Sequence, residues 1–398
     1  YGMAKLLEEF PGIKATFNLV PSLLRQIELY LEGRRDRFQE IFEINPENMT
    51  DEQAAFLVIN FFSANFDNHI KPFPRYNFLH NKMSEAGGRN FTGRWREIFS
   101  DHELTDLQVW FSLSNIDQYY RENDDRVKDL IKKGEGFNDS DKELISAIEL
   151  EIMGKIIPLY KELWEKGNIE ISTTPYYHPI LPLLIDPQLG RTADPALPEY
   201  DLNFNWKKDA ELQVSKGLAY MEKTFNRKPD GIWPSEGSLS EDVIGILEKN
   251  GLKWTATDEK IIERSLNKSG QNSGEVVNAK FIPWTLRGGN IKIFFRDNYL
   301  SDLIGFHYKN WDQKEAAKDL YNKIEAVGEG RKDDIVLPVI LDGENAWEFY
   351  SESGREFLRE FYSLVEKSKK VDMITFSEAT SIHAANLNNF SAGSWING

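Results

Sequence analysis

The chain has 398 residues and a formal net charge of -16, because 48 Lys and Arg stand against 64 Asp and Glu. This acidic balance, without basic runs interleaved with aromatic residues, disfavours nucleic acid and anionic membranes as partners. The sequence contains no cysteine, which excludes disulfides and thiolate metal sites. No apolar stretch approaches the roughly 20 residues of a membrane helix, so we expect a soluble protein. The compartment stays open, with cytoplasmic slightly favoured over secreted.

Short runs rich in β-branched or aromatic residues, separated by longer stretches of helical periodicity, predict the strands. In chain order they are Gly12–Val20, Asn168–Thr173, Gly231–Pro234, Leu252–Thr257, Ile291–Arg296, Ile335–Leu341 and Val371–Phe376. Repeated alternation of strand and helix is typical of a parallel sheet covered by helices. We therefore predict an α/β fold of the (β/α) barrel type.

The interval between the first two predicted strands, about residues 21–166, is too long for one crossover and contains several helical patterns. We predict a helical insertion there. Two Ser-x-x-Glu capping boxes, beginning at Ser140 and Ser238, predict the starts of helices that end at Gly167 and Gly251.

Acidic residues follow consecutive predicted strands from the third onward. They are Glu236, Asp258 and Glu259, Asp297, Asp342 and Glu344, and Glu378. Taken singly, each is typical of a helix N-cap or a first-turn carboxylate. Five in succession favour a cluster, because the carboxyl ends of parallel barrel strands meet at the rim where active sites lie. Such a cluster either binds a divalent metal or acts on a glycosidic bond.

Aromatic residues make up 13% of the chain, and several tryptophans lie beside the acidic segments. This favours a sugar ligand, whose flat C–H faces stack on aromatic rings. The six histidines lack the paired spacing of a transition-metal site. We therefore expect no cofactor and no catalytic metal, and leave open a structural calcium on surface carboxylates.

Several ordered segments resemble conserved segments of glycoside hydrolase family 57, in particular its amylopullulanase-like and α-amylase-like branch. They include GNIEISTTPYYHPILPLL, IWPSEGSLSED, FFRDNYLSDLIGFHY, VILDGENAWEFY and MITFSEAT, and the similarity runs from KATFNLVPSLL to SAGSWIN. The resemblance implies a retaining mechanism on an incomplete (β/α)7 barrel. It further implies that Glu236 is the nucleophile and Asp342 the general acid/base.

The candidates for substrate binding are His178, Trp233, Asp297 and Trp395. His178 follows TTPYY, in a segment that lines the sugar site of the family, and Trp395 lies in a stretch that approaches the cleft there. A lone His beside an apolar run can equally be a core residue. The plainer alternatives for the other two are packing under the barrel for Trp233 and a structural ion pair for Asp297.

The family pattern also places a His-Gln-Pro strand before the point where this chain begins and continues a helical domain beyond its end. We therefore expect residues 1–380 to form the catalytic barrel, including the insertion at about 21–166. Residues 381–398 are expected to begin a truncated C-terminal helical region.

The expected function is hydrolysis of α-1,4-linked glucans such as starch or glycogen, with α-1,6 cleavage left open, through a covalent glycosyl-enzyme. The expected partner is thus an α-glucan oligo- or polysaccharide. A 4-α-glucanotransferase would share every catalytic residue, because only the acceptor in the second step differs. A catalytically impaired carbohydrate-binding fragment is the alternative outside catalysis. A metal-dependent deacetylase is disfavoured because it would normally show paired His ligands.

Overall fold

A computed structural model describes residues 1–270, 276–343 and 347–396 of the chain. The chain divides into two compact units. The helical unit comprises Tyr1–Lys5, Ile27–Ile156 and Gly343–Arg355, and the α/β unit comprises Leu6–Gln26, Ile157–Asp342 and Glu356–Gly398.

A seven-stranded sheet forms the α/β unit. The strands are β1 (Ala15–Leu19), β2 (Ile169–Thr173), β3 (Gly231–Ile232), β4 (Trp254–Asp258), β5 (Trp284–Leu286), β6 (Lys292–Arg296) and β7 (Ala385–Leu387). Their spatial order is β1-β2-β3-β4-β6-β5-β7, and every neighbouring pair is parallel except β5 with β6. In the described part of the chain β7 does not pair with β1, so the sheet stays open. The predicted α/β class is confirmed.

Helices accompany these strands along the chain. The α-helices described after residue 166 are Leu181–Ile185, Leu189–Ala193, Lys207–Phe225, Glu241–Lys249, Glu259–Lys268, Val276–Ala279, Asn298–Asp302, Gln313–Gly328, Arg355–Glu366 and Phe376–Ala379. Several of them bury apolar residues. In Glu241–Lys249, for example, Val243, Ile244, Ile246 and Leu247 are all buried in the main apolar core of this unit.

Residues 21–166, all of which are described, contain helices and no strand. The helices are Pro21–Leu31, Arg37–Glu43, Asp51–Asn60, Pro74–Glu85, Trp95–Ile98, Asp101–Asn115, Gln118–Asn123, Asp125–Lys133 and Asp139–Lys166, after a first short helix at Gly2–Leu6. The helical unit has its own core. Trp110 lies in it at 1% exposure and donates its indole N–H to Gly134 O at 2.8 Å. No helix among the described residues is both long and apolar enough to cross a bilayer.

Helix caps differ slightly from those predicted at Ser140 and Ser238. The long helix begins at Asp139, directly after Asn138, whose side chain accepts from Asp141 N–H while Asn138 N–H donates to the Asp141 carboxylate. The second cap is Ser240, which accepts from Val243 N–H. Both shifts keep the helices and change only the capping residue.

Five of the predicted strands coincide with β1, β2, β3, β4 and β6. The predictions for Ile335–Leu341 and Val371–Phe376 are wrong as strands. The first segment makes isolated hydrogen bonds instead of a ladder, because Pro338 has no N–H to donate. The Pro338 carbonyl accepts from Asp297 N–H at 2.8 Å. The second ends where Thr375 caps a helix beginning at Phe376.

The strands β5 and β7 were not predicted, because three residues are too few to show an alternating pattern. The predicted C-terminal helical segment at 381–398 is instead β7 and irregular chain up to residue 396, and those described residues contain no helix. The backbone there is satisfied by pairing: Leu239 and Gly393 exchange N–H···O bonds of 2.9 and 3.1 Å. Residues 397 and 398 lie outside the described part.

Candidate active site

One face of the sheet carries an apolar cluster that ends in polar residues at the carboxyl ends of the strands. Its buried members are Trp233, Trp254, Ala256, Phe294, Val336 and Ala379, and Trp395 packs against them. Because strand side chains alternate between faces, Asp258 continues the row of Trp254 and Ala256 on β4. Arg296 likewise continues the row of Phe294 on β6. Two charged side chains thus extend this apolar face.

Glu236 lies in a tight turn, Ser235–Gly237, which follows β3 after Trp233 and Pro234. Its φ of 56° and ψ of 26° are left-handed, a conformation uncommon for a residue with a Cβ. Such backbone strain costs about 1–3 kcal/mol and persists where the surroundings hold it. Gly237 follows with a φ of 62°, and a Cβ there would lie 2.7 Å from the Trp233 ring. The turn therefore sits tightly on Trp233.

Both carboxylate oxygens of Glu236 have a polar neighbour. The Trp395 indole N–H donates to Glu236 Oε2 at 2.6 Å, and the Trp395 backbone N–H donates to Glu236 O at 3.1 Å. His178 Nε2 lies 3.4 Å from Glu236 Oε1. The Glu236 side chain keeps 35% exposure, so a ligand can reach the carboxylate while the tryptophan fixes one of its oxygens.

His178 is itself in the left-handed region, with a φ of 59°. Its Nδ1 lies 3.3 Å from Thr174 Oγ1, which in turn lies 3.4 Å from Ser235 Oγ. Thr174 and Ser235 are fully buried, so the imidazole is anchored on its inner side. Two residues with strained backbones, predicted separately from the sequence, therefore meet through their side chains.

The segment that carries Trp395 is held next to the turn Ser235–Gly237 by backbone pairing between Leu239 and Gly393. Gly393 lies close to Arg264, because a Cβ at position 393 would collide with the Arg264 side chain. The Trp395 ring lies 5.1 Å from the Trp233 ring, at 63° to it. Trp233 is only 8% exposed, so it packs beneath Trp395 and contributes a support for the ring above it.

Arg296, at the end of β6, is 7% exposed and uses three donors. Its Nε donates to Ile340 O at 2.7 Å, Nη1 to Asn298 Oδ1 at 2.5 Å and Nη2 to Asp302 Oδ1 at 2.6 Å. The guanidinium carbon lies 5.4 Å from the centroid of the Trp395 ring. In the sequence, Arg296 is marked only as the last residue of a predicted strand.

Asp342 is half-buried and lies two residues after Ile340. The segment that leads to it contacts the end of β6 through Pro338 and Ile340. Ile340 is fixed from both sides of its peptide unit: its N–H donates to Ser301 Oγ at 3.1 Å and its carbonyl accepts from Arg296. The structure thus brings the chain that carries Asp342 to the carboxyl end of β6. Glu344 lies outside the described residues.

Asp297 is 3% exposed, and its carboxylate accepts from Leu300 N–H at 2.8 Å and contacts Lys280 Nζ at 2.7 Å. Lys280 also pairs with Glu259. Burial raises the pKa of Glu259 from its ordinary value, against the opposing effect of Lys280. Asp297 therefore has the helix cap and the structural ion pair of the plainer alternative.

Asp258 is a buried carboxyl at the end of β4, with 1% exposure. Its Oδ1 accepts from Lys260 N–H at 2.9 Å and from Asn298 Nδ2 at 3.2 Å. Its Oδ2 is buried without a hydrogen-bond partner among the described residues. Burial raises the pKa of Asp258. Glu378, the last of the acids predicted at strand ends, completes a capping box with Thr375 and pairs with Lys14.

The profile of glycosyl hydrolase family 57 matches residues 1–388. A 1,4-alpha-glucan branching enzyme of Thermococcus kodakarensis is 25% identical to the chain over 241 residues. That match covers 54% of this chain and 32% of the branching enzyme, so the chain spans about a third of this relative's length.

Two crystal structures have a similar fold. The alpha-amylase AmyC of Thermotoga maritima gives a TM-score of 0.54 at 14% identity, over 99% of this chain and 70% of its own. A branching enzyme of Pyrococcus horikoshii gives 0.51 at 14% identity, over 96% and 72%. This likeness confirms the incomplete (β/α)7-type barrel. Since the family profile extends over nearly the whole sequence, the chain belongs to glycosyl hydrolase family 57.

Proposed function

We propose that this chain is the catalytic part of a retaining enzyme that cleaves α-glucans, with Glu236 as nucleophile and Asp342 as general acid/base. The observation that carries the proposal is the strained, partly exposed Glu236, whose Oε2 accepts from the Trp395 indole while His178 lies beside Oε1. Strain of this kind collects at functional sites. The family supports glycosidic chemistry, and the branching enzyme and alpha-amylase among its relatives support an α-glucan as substrate.

In the first step an oxygen of Glu236 attacks the anomeric carbon. The glycosidic C–O bond breaks, its electron pair stays on the leaving oxygen, and that oxygen takes the proton of Asp342. We assign the attack to Oε1, because Oε2 is held by a short bond of 2.6 Å from Trp395 whereas the contact of Oε1 with His178 is 3.4 Å. A covalent glycosyl-enzyme is the product.

In the second step the Asp342 carboxylate takes a proton from the acceptor, whose oxygen attacks the anomeric carbon and breaks the bond to Glu236. Water as acceptor gives hydrolysis, and a sugar hydroxyl gives transfer. Hydrolysis with α-1,4 specificity, as in an α-amylase or amylopullulanase, is the proposed activity. Transfer is the second candidate, because the curated relative is a branching enzyme.

The substrate candidates divide by exposure. His178 keeps 37% of its side chain exposed beside Glu236 and is proposed to bind a sugar hydroxyl. Trp395 orients the nucleophile. Trp233 and Asp297, at 8% and 3% exposure, are proposed to support the site from behind. The two-step chemistry uses only side chains, and we propose that it requires no metal or cofactor.

The proposal is tested with Glu236→Gln and Asp342→Ala, assayed on an α-glucan and on an activated aryl α-glycoside. Glu236→Gln keeps shape but removes the attacking charge, so turnover should fall roughly 10⁴-fold or more on both substrates. Asp342→Ala should keep its first step on the aryl glycoside, whose leaving group needs no proton, and azide should restore the second step.

The matched control is Glu378→Gln, because Glu378 is another acid from the predicted cluster and glutamine also completes a capping box. It should keep near wild-type turnover. Wild-type turnover in Glu236→Gln would overturn the nucleophile assignment. An equal loss on both substrates in folded Asp342→Ala, without azide rescue, would remove Asp342 from the acid/base role. Released reducing ends against redistributed chain lengths separate hydrolysis from transfer.

A further inference from the structure

We propose that Arg296 is a positioning residue for Glu236 and that it acts through the indole of Trp395. The inference rests on the proposed role of Glu236 as nucleophile. The geometry is a line of three side chains: the Arg296 guanidinium lies 5.4 Å from the centroid of the Trp395 ring, and the N–H of that ring donates to Glu236 Oε2 at 2.6 Å.

A cation against an indole is attracted by the negative face of the ring. Its field also draws electron density away from the indole N–H and makes that group a stronger donor. The acceptor is the Glu236 carboxylate, so the strengthened hydrogen bond is charge-assisted. Arg296 and Trp233 beside it are largely shielded from water, which makes the interaction stronger than in solvent. The expected result is an Oε2 that is held firmly while Oε1 stays available for attack.

The position of the guanidinium is itself fixed. Its three donors point to Ile340 O, Asn298 Oδ1 and Asp302 Oδ1, which leaves the planar group little freedom to leave the ring. The Trp395 ring is bounded on another side by Trp233, at 5.1 Å. The indole therefore has a defined orientation from which its N–H reaches the carboxylate.

The same cation orders the chain that leads to the acid/base. Arg296 Nε binds the carbonyl of Ile340, two residues before Asp342. A single buried side chain thus contacts the ring that holds the nucleophile and the segment that carries its partner. Such contacts matter for the strained turn at Glu236, because a left-handed glutamate depends on its surroundings to keep that conformation.

A double-variant cycle tests the coupling. Arg296→Gln removes the charge, and Trp395→Phe keeps a ring but removes the N–H. The measured quantity is the rate of glycosyl-enzyme formation on an activated aryl α-glycoside, which isolates the nucleophile because protonation is not needed. Arg296→Gln should slow this step about 10-fold, within the range of a desolvated cation–π contact, with KM changed less than about twofold. In the Trp395→Phe background the same change should cost less than about twofold.

Arg296→Lys supplies the conservative variant and keeps the test valid if Arg296→Gln does not fold. Lysine retains a cation for the ring but lacks the planar fork, so it should recover part of the lost rate in the wild-type background. In the Trp395→Phe background it should give no benefit over glutamine. The matched control is Arg227→Gln, because Arg227 forms a second arginine–indole pair, at 4.6 Å from the Trp164 ring, and that ring packs on Phe225. It should leave the rate unchanged.

If Arg296→Gln slows glycosyl-enzyme formation equally with and without the Trp395 indole, the inference is overturned, because Arg296 then acts independently of that N–H. Glu236→Gln, measured in parallel, separates the two levels. If it is inactive and the cycle is additive, only the role of Arg296 fails. If it keeps wild-type turnover, the proposed function fails first.

Discussion

At the scale of single residues, Asp258 combines burial with incomplete hydrogen bonding. One carboxyl oxygen caps a helix and accepts from Asn298, while the other is buried without a partner in the described part of the chain. An ionised carboxylate loses its hydration in such a place, which is why burial raises the pKa of Asp258. The protonated form is therefore the better fit to the folded protein.

The first prediction is that Asp258→Asn gains stability over the wild type as pH rises. An unfolded Asp titrates near about 3.9, and below that pH both folded and unfolded chains hold the proton, so the stability linked to it is fully present. It is lost as pH rises through the raised pKa of the folded state. Asparagine resembles the protonated side chain and still caps a helix. The Tm difference between variant and wild type should be small near pH 4 and grow towards pH 8. A difference that is constant over this range would contradict it.

At the scale of elements, the turn Ser235–Gly237 depends on a glycine that no other residue can replace without strain. Gly237 has a φ of 62°, and its α-carbon faces the Trp233 ring. By contrast Gly245, inside the helix Glu241–Lys249, has no heavy atom within 4 Å of the position of an added Cβ. The two glycines therefore provide opposite outcomes for the same chemical change.

Gly237→Ala is expected to lower the free energy of unfolding by about 1–2 kcal/mol or more, from the left-handed backbone alone, and to lower kcat by displacing Glu236. Gly245→Ala should raise the free energy of unfolding by about 0.5–1 kcal/mol, because alanine favours a helix interior, with kcat unchanged. Chemical denaturation and steady-state kinetics on both variants check this. A Gly237→Ala protein as stable and active as the wild type would show that the turn tolerates a Cβ.

The same comparison of elements shows what the sequence can predict. Five-residue strands with buried runs of β-branched or aromatic residues, such as β2, β4 and β6, can be predicted from their own sequence. The three-residue strands β5 and β7 do not, because their pairing partners rather than their own pattern make them strands. The segment before Asp342 reads as a strand but Pro338 interrupts its hydrogen bonds.

The candidate site could likewise be predicted only in part, because some of its contacts join residues that are distant in sequence. Acids at strand ends can be read from the chain, and the resemblance supplied the roles proposed for Glu236 and Asp342. The contact of Arg296 with Trp395 joins residues 99 positions apart, 395 − 296 = 99, and no local pattern encodes it. Likewise, the cap and ion pair of Asp297 depend on Leu300 and on Lys280, of which only the first is visible nearby in sequence.

At the scale of the whole molecule, every proposed catalytic or substrate-binding residue belongs to the α/β unit. The helical unit has a separate apolar core and carries none of these residues. Asp342 is the last residue of its stretch of the α/β unit, and the chain enters the helical unit at Gly343. Both residues of the proposed catalytic pair therefore lie within one compact unit.

The last prediction concerns the stereochemistry of the proposed glycosidic cleavage. A retaining pair needs carboxyl groups about 5–5.5 Å apart, whereas an inverting pair leaves about 6.5–9.5 Å for a water molecule. The strained turn, the 2.6 Å bond from Trp395 and the partial exposure of Glu236 fit a carboxylate that attacks carbon itself. We therefore expect cleavage of an α-linked maltooligosaccharide to release the α-anomer first, followed by slow mutarotation. Proton NMR during the first minutes of reaction measures this directly, with Glu236→Gln as the blank for uncatalysed change. Initial release of the β-anomer would mean a single displacement by water, and Glu236 would then be a base acting on that water.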